Sequence, residues 1–141
     1  MRLIYGRALA QKIRAELKEK IAASGITPGL GVILAGDDPA SRLYARLKEK
    51  ACAEVGIYFE KYFFPAETRE ETIIQKIQQL NNSPKIHGIL VQLPLPKHID
   101  AQKVLIAIDP EKDADGFHPM NLGKLLADLP GAVVPCTPAG C

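Results

Sequence analysis

The sequence predicts an α/β fold in three layers, α/β/α, around a mostly parallel sheet. Short apolar runs of strand length alternate with longer segments in which apolar residues recur every three to four positions. The loops between these segments are short. Parallel strands need helical crossovers, which cover both faces of the sheet, and ligand sites in such sheets gather at the carboxyl ends of the strands.

The composition favours a single cytosolic domain. With 141 residues, of which 47% are hydrophobic, the chain has enough apolar material for one core. Its formal net charge is only +2 and it has no basic stripe interleaved with aromatic residues, so we expect no nucleic-acid partner. The three cysteines are an odd number without a disulfide spacing, and no apolar run approaches the roughly 20 residues of a membrane helix. We therefore expect a cytoplasmic protein with no membrane partner, while import into an organelle stays open.

The first predicted helix covers residues 7–23, and the first predicted strand covers residues 30–35. In the helix every fourth residue is apolar, which is typical of an amphipathic helix with a buried stripe. That stripe consists of Leu9, Ile13, Leu17 and Ile21. The strand is an apolar run that is too short for a helix.

Asp38 and Pro39 predict the start of a second helix. Aspartate offers an N-cap oxygen, and proline suits the first helical position. The strand and this helix together make a βα unit. The apolar residues that we expect this helix to bury are Leu43, Leu47, Ala51 and Val55.

The rest of the chain continues the alternation. Residues 58–64 are rich in aromatic side chains and predict a second strand. Thr68 and Glu71 have the spacing of a capping box, which predicts a third helix. Residues 86–93 predict a third strand, closed by prolines. Further predicted elements are helices at residues 101–108 and 121–129 and a strand at residues 133–134.

The last residues carry the start of another helix. Thr137 is a residue of the N-cap type and Pro138 suits the first helical position, yet only three residues follow them. We therefore expect residues 1–141 to form one domain that is cut near the start of a linker helix.

Tyr44 and Lys48 stand four residues apart in the second predicted helix, so their side chains share one face. The loop before them follows the carboxyl end of the first strand, where ligands are expected. A lysine there is catalytic only if burial or neighbours lower its pKa. A solvated lysine beside a packed tyrosine is the alternative, since such a pair also arises by chance.

Gln92 brings a primary amide to the carboxyl end of an otherwise apolar strand, just before Leu93 and Pro94. A buried amide without hydrogen-bond partners costs about 1–3 kcal/mol, so it needs partners. We expect it to contact Lys48 or a ligand across the crevice. The alternative is an amide at the edge of the sheet that reaches water.

Asp113 and Asp115 flank a small residue in a predicted turn. Read as a calcium loop, this segment has Leu122 where the bidentate glutamate is required, so we do not expect calcium. A carboxylate can instead hold the N–H edge of a heterocycle through two parallel hydrogen bonds. A solvated turn is the alternative. The three histidines show neither an HExxH motif nor a zinc pattern with the cysteines, so we expect no metal.

Five motifs in one order and spacing resemble the methylenetetrahydrofolate dehydrogenase/cyclohydrolase family, and the resemblance runs nearly from end to end. The motifs are Asp38-Pro39-Ala40-Ser41, Tyr44-x-x-x-Lys48, Val91-Gln92-Leu93-Pro94-Leu95-Pro96, Lys112-Asp113-Ala114-Asp115-Gly116-Phe117 and Pro135-Cys136-Thr137-Pro138. Together they are far more specific than any one of them.

The resemblance implies a bifunctional enzyme of one-carbon metabolism that serves purine, methionine and histidine biosynthesis. NADP or NAD oxidises 5,10-methylenetetrahydrofolate to 5,10-methenyltetrahydrofolate, and water then opens this product to 10-formyltetrahydrofolate. The implied partners are a small-molecule folate substrate and, for the parent protein, a second copy in a homodimer.

The same match implies roles for the site residues. Lys48 assists proton transfer in the hydrolysis, and Gln92 tunes this lysine. Tyr44 packs against the folate and orients it, while Asp115 anchors the pterin ring. The folate is also expected to contact Val91, Leu93 and Pro94.

The family also has a Rossmann domain for the nicotinamide cofactor, which we do not find in this sequence. Gly29 and Gly31 precede a predicted strand, whereas a dinucleotide loop follows one. We therefore expect no cofactor-binding residues in this chain, except that Thr137 is expected to lie near the nicotinamide.

Two other interpretations stay open. A short-chain dehydrogenase also uses Tyr-x-x-x-Lys, but it needs a glycine-rich N-terminal turn and a longer chain. A non-catalytic α/β ligand-binding or interaction module would keep the fold and have no turnover. Folate binding measured together with turnover distinguishes this module from an enzyme.

Overall fold

The computed structural model describes residues 5–140 and confirms the predicted α/β class. Its strands are β1 (Gly29–Ala35), β2 (Tyr58–Phe64) and β3 (Gly88–Val91), which form a parallel sheet in the order β2-β1-β3. The helices are α1 (Gly6–Ser24), α2 (Pro39–Val55), α3 (Glu70–Asn81), α4 (Ala101–Ile106), α5 (Pro119–Leu126) and α6 (Cys136–Gly140). Within the described residues, no helix combines the length and the apolar character needed to cross a membrane.

The central strand β1 divides the core into two halves. Successive side chains of a strand point to opposite faces, so Ile33 packs with α3 on one face while Val32 and Leu34 pack towards α2 on the other. Ile33 and Val32 are both fully buried. Helices therefore cover the sheet on both faces, as the three-layer prediction requires.

The predicted buried stripe of α1 is wrong, and that of α2 is confirmed as buried only at Val55. No residue of α1 is buried, and Leu9 and Ile13 are each 52% exposed. In α2, Leu43 and Leu47 are more than half exposed. The residues that α2 buries are Ser41, Ala45, Cys52 and Val55. The small side chains face the sheet because the helix lies close to it, whereas α1 packs mainly against α2 and not into the core.

The capping box at Thr68 is also wrong, because α3 starts one residue later than that motif needs. Arg69 is the N-cap residue and its side chain makes no capping hydrogen bond. The carbonyl of Thr68 instead lies 2.9 Å from Nε2 of His98, and Glu70 accepts a 2.6 Å hydrogen bond from the backbone N–H of Asp100. Contacts with a distant loop therefore decide where this helix begins.

The third strand is shorter than residues 86–93. Ile86 is buried before it, and after Val91 the chain leaves the sheet through a cis Leu93-Pro94 peptide. Proline has no N–H to donate, which agrees with this end of pairing. The backbone N–H of Gln92 still donates to the carbonyl of Ile33 at 2.9 Å, which ties the end of β3 to β1.

The later elements differ from the predicted ones in their bounds, and the strand predicted at residues 133–134 does not form. The helix predicted from residue 121 begins at Pro119, because Nδ1 of His118 caps it by accepting from the N–H of Met120 at 3.1 Å. Residues 133–134 form no strand; a Cβ atom on Gly116 would lie only 2.3 Å from the Val133 carbonyl oxygen, so the chain passes close to that glycine. The last helix begins at Cys136, one residue before the predicted cap Thr137.

Candidate active site

Lys48 and Gln92 meet at the carboxyl end of the sheet. Nζ of Lys48 donates a 2.7 Å hydrogen bond to Oε1 of Gln92, and both side chains are partly buried. The amide nitrogen of Gln92 donates to the Leu93 carbonyl at 3.2 Å, so both ends of the amide have partners. The lysine therefore faces the amide oxygen in a defined orientation.

Local structure brings these two side chains together. Asp38 caps α2 by accepting from the N–H of Ser41 at 2.7 Å, and this hydrogen bond lowers the pKa of the Asp38 carboxyl. The cap fixes the start of α2 directly after β1, so Lys48 lies in the third turn above the carboxyl edge of the sheet. Gln92 reaches the same edge because β3 pairs with β1.

The turn that carries Asp115 is built by its neighbour Asp113. This carboxylate is buried and accepts hydrogen bonds from the N–H of Gly116 at 3.0 Å and of His118 at 2.8 Å. It also accepts from Nδ2 of Asn121 at 2.9 Å. The predicted alternative of a solvated turn is therefore wrong for Asp113.

Two backbone hydrogen bonds anchor this turn to β3. The N–H of Ile89 donates to the Lys112 carbonyl at 2.6 Å, and the N–H of Ala114 donates to the Ile89 carbonyl at 3.1 Å. Nζ of Lys112 donates to three carbonyls around the end of α3, including that of Asn81 at 2.6 Å. The position of Asp115 is thus set by the sheet and by α3.

Asp115 and Lys48 interact electrostatically. Burial raises the pKa of Asp115 above its usual 3.8, the positive charge of Lys48 opposes this rise, and the Asp113 carboxylate adds to it. Asp115 is only partly buried and receives no hydrogen bond from the described residues, so its oxygens are free to accept bonds from a ligand. A helix-borne amine, an amide and an unpaired carboxylate therefore share one region.

The other predicted site residues lie at different depths. Tyr44 is 56% exposed on α2, one turn before Lys48, where its ring can cover a ligand. Leu93 is partly buried and Pro94 is exposed beside Gln92. The side chain of Val91 belongs to the core on the α3 face, so only its backbone is available to a ligand. Thr137 is exposed in α6 and makes no hydrogen bond with Lys48, Gln92 or Asp115 within the described residues.

The site is an open surface bordered by two cavities. Leu93 lines an apolar cavity of about 390 Å³ together with Leu105 and Phe117. Leu47, next to Lys48, lines a second cavity between α1 and α2. Neither cavity contains Lys48, Gln92 or Asp115. No cluster of three or more His, Cys, Asp or Glu side chains that could hold a metal ion occurs among residues 5–140.

Sequence reasoning missed the supporting role of Asp113, His118 and Asn121. Two signals were available: aspartate three residues before glycine is typical of a side chain that closes a turn, and histidine before proline is compatible with a helix start. The burial of Asn121, which is 1% exposed, has no signal in a single sequence. These residues hold Asp115 in place and are not expected to touch a ligand.

This α/β domain carries an amine, an amide and a carboxylate above the carboxyl edge of a parallel sheet. Such an arrangement is typical of the class of small-molecule-binding α/β domains. The family model described as tetrahydrofolate dehydrogenase/cyclohydrolase, catalytic domain, matches residues 4–115. The chain belongs to this family, which excludes the short-chain dehydrogenase interpretation.

Curated relatives and solved structures agree with this family. The chain is 58% identical over 142 residues to the bifunctional protein FolD of Geotalea daltonii. The match includes 99% of this chain and 50% of that relative. It is similar to the crystal structure of the Campylobacter jejuni FolD methylenetetrahydrofolate dehydrogenase/cyclohydrolase, with 46% identity and a TM-score of 0.91 over 96% of this chain and 49% of that chain.

A further similar structure is the Trypanosoma brucei dehydrogenase-cyclohydrolase complexed with NADP cofactor and inhibitor. The identity is 40% and the TM-score is 0.92, over 98% of this chain and 48% of that chain. The chain therefore spans about half the length of the relatives it matches.

Proposed function

We propose that this chain supplies the folate-binding and proton-transfer residues of a methylenetetrahydrofolate dehydrogenase/cyclohydrolase. The enzyme would oxidise 5,10-methylenetetrahydrofolate with NADP or NAD and hydrolyse the methenyl product to 10-formyltetrahydrofolate. The 2.7 Å contact between Lys48 and Gln92 carries the proposal, because it brings a helix-borne amine to the place where substrate is expected. Family membership and the bifunctional relatives support it.

In this proposal Lys48 moves a proton during the hydrolysis. A neutral amine accepts a proton from the attacking water, whereas an ammonium group would repel the cationic methenyl substrate. Gln92 accepts a hydrogen bond from Nζ and so orients the amine. When Nζ is neutral, donating this hydrogen bond leaves its lone pair available to the water.

Asp115 and Tyr44 hold the folate. The carboxylate of Asp115 would accept two parallel hydrogen bonds from the N–H edge of the pterin, and its lack of protein donors among the described residues supports this role. Tyr44, which is largely exposed, would stack on the folate rings. Leu93, Pro94 and the backbone of Val91 would line the same side.

We expect no dinucleotide site among the described residues. Such a site needs a glycine-rich turn directly after a strand. Here β1 is followed by one glycine, Gly36, β2 by Pro65, and β3 by Gln92. The residues of this chain are therefore assigned no hydride-transfer step. The NADP in the similar trypanosome structure supports NADP as the cofactor of the whole protein.

The experiment is a comparison of the intact chain with Lys48→Met. Calorimetry measures binding of a folate analogue, and the loss of methenyltetrahydrofolate absorbance measures hydrolysis. We expect the variant to bind the analogue but to lose about 10²–10⁴-fold in hydrolysis, the usual contribution of a positioned acid or base. Lys20→Met, a change of an exposed lysine on α1, is the matched control and should leave both unchanged. Unchanged hydrolysis in Lys48→Met would remove this lysine from the mechanism.

A non-catalytic binding module is the second candidate, and the open surface around Lys48 is the observation that favours it. Such a module binds the folate analogue and shows no hydrolysis even in the intact chain. The same two measurements therefore separate it from the enzyme.

We further infer that the whole protein is cytoplasmic and belongs to one-carbon metabolism. Purine, methionine and histidine biosynthesis would use the products of its reactions. The odd number of cysteines supports a reducing compartment. A homodimer of the whole protein follows from the family resemblance alone, and sedimentation of the whole protein tests it.

A further inference from the structure

A second cavity lies at the amino end of the sheet, at the edge opposite the candidate active site. Its volume is about 410 Å³, and it is lined by Thr27, Tyr58, Pro84, Lys85 and His87. These residues come just before β1, at the start of β2 and just before β3. Because the strands are parallel, their amino ends meet at one edge, and the seven residues of β1 place it about 20 Å from the carboxyl edge.

The wall of this cavity is held closely to β1. The backbone N–H of His87 donates to the Gly29 carbonyl at 2.8 Å, and the backbone N–H of Tyr58 donates to the Pro28 carbonyl at 2.8 Å. A Cβ atom on Gly29 would lie only 1.8 Å from the Lys85 carbonyl oxygen, so the two segments touch where a larger residue would clash. The lining residues are therefore positioned before any ligand arrives, which lowers the entropic cost of binding.

A hydrogen bond from the backbone fixes the tautomer of His87. The N–H of Gly29 donates to Nδ1 of this imidazole at 3.0 Å. A neutral imidazole that accepts at Nδ1 carries its hydrogen at Nε2. His87 is exposed, and its Nε2 makes no hydrogen bond with the described residues. This N–H is therefore a fixed donor that is available to a ligand in the cavity.

The polar groups of the cavity favour an anion. Within the described residues no carboxylate lines it, and Lys85 has no carboxylate oxygen within 4.0 Å. Glu60 is on β2 beside the cavity, but its two oxygens accept hydrogen bonds from the hydroxyls of Tyr58 and Tyr62. These bonds lower the pKa of Glu60, and the positive charge of Lys85 contributes less. The hydroxyl of Thr27 adds a further donor to the lining.

The cavity also has an apolar side that an inorganic ion would not use. Tyr58 is 42% exposed, and Pro84 beside it is exposed. The hydroxyl of Tyr58 is directed to Glu60, so the ring is the part of this side chain that a ligand can contact. Aromatic faces bind planar rings by stacking.

We propose that this cavity binds a phosphate monoester that carries a planar ring, the chemistry of a nucleoside monophosphate. Phosphate oxygens are acceptors, so Lys85, Nε2 of His87 and the hydroxyl of Thr27 would donate to them. The ring would stack on Tyr58. Because this site lies at the opposite edge of the sheet from Lys48 and Gln92, the proposal does not rest on the proposed function.

The experiment is calorimetric titration of the intact chain with AMP, inorganic phosphate and adenosine. We expect AMP to bind about tenfold more tightly than inorganic phosphate, as the stacking of one base would provide. Adenosine, which lacks the anion, should bind at least about tenfold more weakly than AMP. The affinity for AMP should fall as salt is raised, because the charges are near the surface. Saturating 5-formyltetrahydrofolate should leave the affinity for AMP unchanged.

Two variants locate the phosphate. Lys85→Gln and His87→Asn should each weaken the binding of AMP and of inorganic phosphate by about three- to tenfold. Asparagine keeps an acceptor for the N–H of Gly29 but has no donor at the position of Nε2, so this variant should retain its melting temperature. Lys97→Gln, a change of an exposed lysine after β3, is the matched control and should leave both affinities unchanged.

A third variant locates the ring. Tyr58→Leu removes the aromatic face and should bring the affinity for AMP down to that for inorganic phosphate. Absence of AMP binding, equal affinities for AMP and adenosine, or an equal loss in Lys97→Gln would overturn the proposal. Displacement of AMP by 5-formyltetrahydrofolate would place AMP in the candidate active site and would overturn it as well.

Discussion

Asp113 and Asp115 are two residues apart and occupy opposite environments. Asp113 accepts three hydrogen bonds and is 3% exposed, so its negative charge is compensated by fixed donors. Asp115 has no such donors among the described residues, and burial raises its pKa. One carboxylate therefore builds the turn and the other is left available to a ligand.

Asp115→Asn should weaken folate binding and stabilise the folded chain at neutral pH. The lost pair of charge-assisted hydrogen bonds should reduce affinity at least about tenfold. The pKa of Asp115 is raised in the folded state. The favourable contribution of this carboxyl to folding is therefore complete below the pKa that it has in the unfolded state, and it is lost as the pH rises through the pKa that it has in the folded state. At neutral pH the ionised group is destabilising, and asparagine removes that charge.

Thermal denaturation at two pH values checks this prediction. At pH 7 the Asp115→Asn variant should have a higher melting temperature than the unchanged chain. The difference between the two melting temperatures should vanish near pH 3, where the carboxyl is protonated in the folded and the unfolded state. Asp128→Asn is the control, since Asp128 is exposed and its positive φ is one that asparagine tolerates. A lower melting temperature for Asp115→Asn at pH 7 would show that Asp115 is structural.

At the scale of elements, α2 uses small residues to approach the sheet and leaves its leucines outside. Ala45 is 1% exposed between the helix and β1, whereas Leu43 is 56% exposed. An apolar pattern alone does not tell which of two neighbouring stripes faces a sheet, because both have helical spacing. Burial of α3 is different: Ile73, Ile77 and Leu80 face the core as their spacing indicates.

Two matched leucine substitutions test this assignment of faces. Leu80→Ala removes a side chain that is 3% exposed and should lower the free energy of unfolding by about 2–5 kcal/mol. Leu43→Ala removes an equal volume from the surface and should change it by no more than about 0.5 kcal/mol. Urea denaturation measures both. Similar losses from the two variants would mean that Leu43 is packed in solution.

At the scale of the whole molecule, the candidate site combines three separate parts of the chain. Lys48 comes from α2, Gln92 lies 44 residues later at the end of β3, and Asp115 lies in the turn anchored to that strand. The parallel order β2-β1-β3 places the elements after β1 and β3 at one edge. The site therefore depends on the complete sheet and not on any one motif.

The chain by itself should not reduce NADP or NAD when supplied with methylenetetrahydrofolate. None of the loops after its three described strands is the glycine-rich turn that a dinucleotide requires. The measurement is the absorbance of reduced nicotinamide over time, with hydrolysis of methenyltetrahydrofolate by the same preparation as the control for folded protein. A sustained rise in that absorbance would show that the residues of this chain suffice for the cofactor.

The sequence by itself determined the α/β class, the three strands, the start of α2 and the motifs of the site. These depend on local signals: apolar runs, a cap at Asp38, and residue types at fixed spacing. The roles assigned to Tyr44, Lys48, Gln92 and Asp115 came from the family resemblance and stay predictions.

Only the tertiary structure decided which faces of α1 and α2 are buried, where α3 begins, and how Asp113 supports Asp115. Each of these depends on partners distant in sequence, such as Glu70 with Asp100 and Asp113 with Asn121. Burial and hydrogen bonding are properties of the packed chain, because a side chain loses water only when another element covers it. Local sequence patterns carry no information about which element that will be.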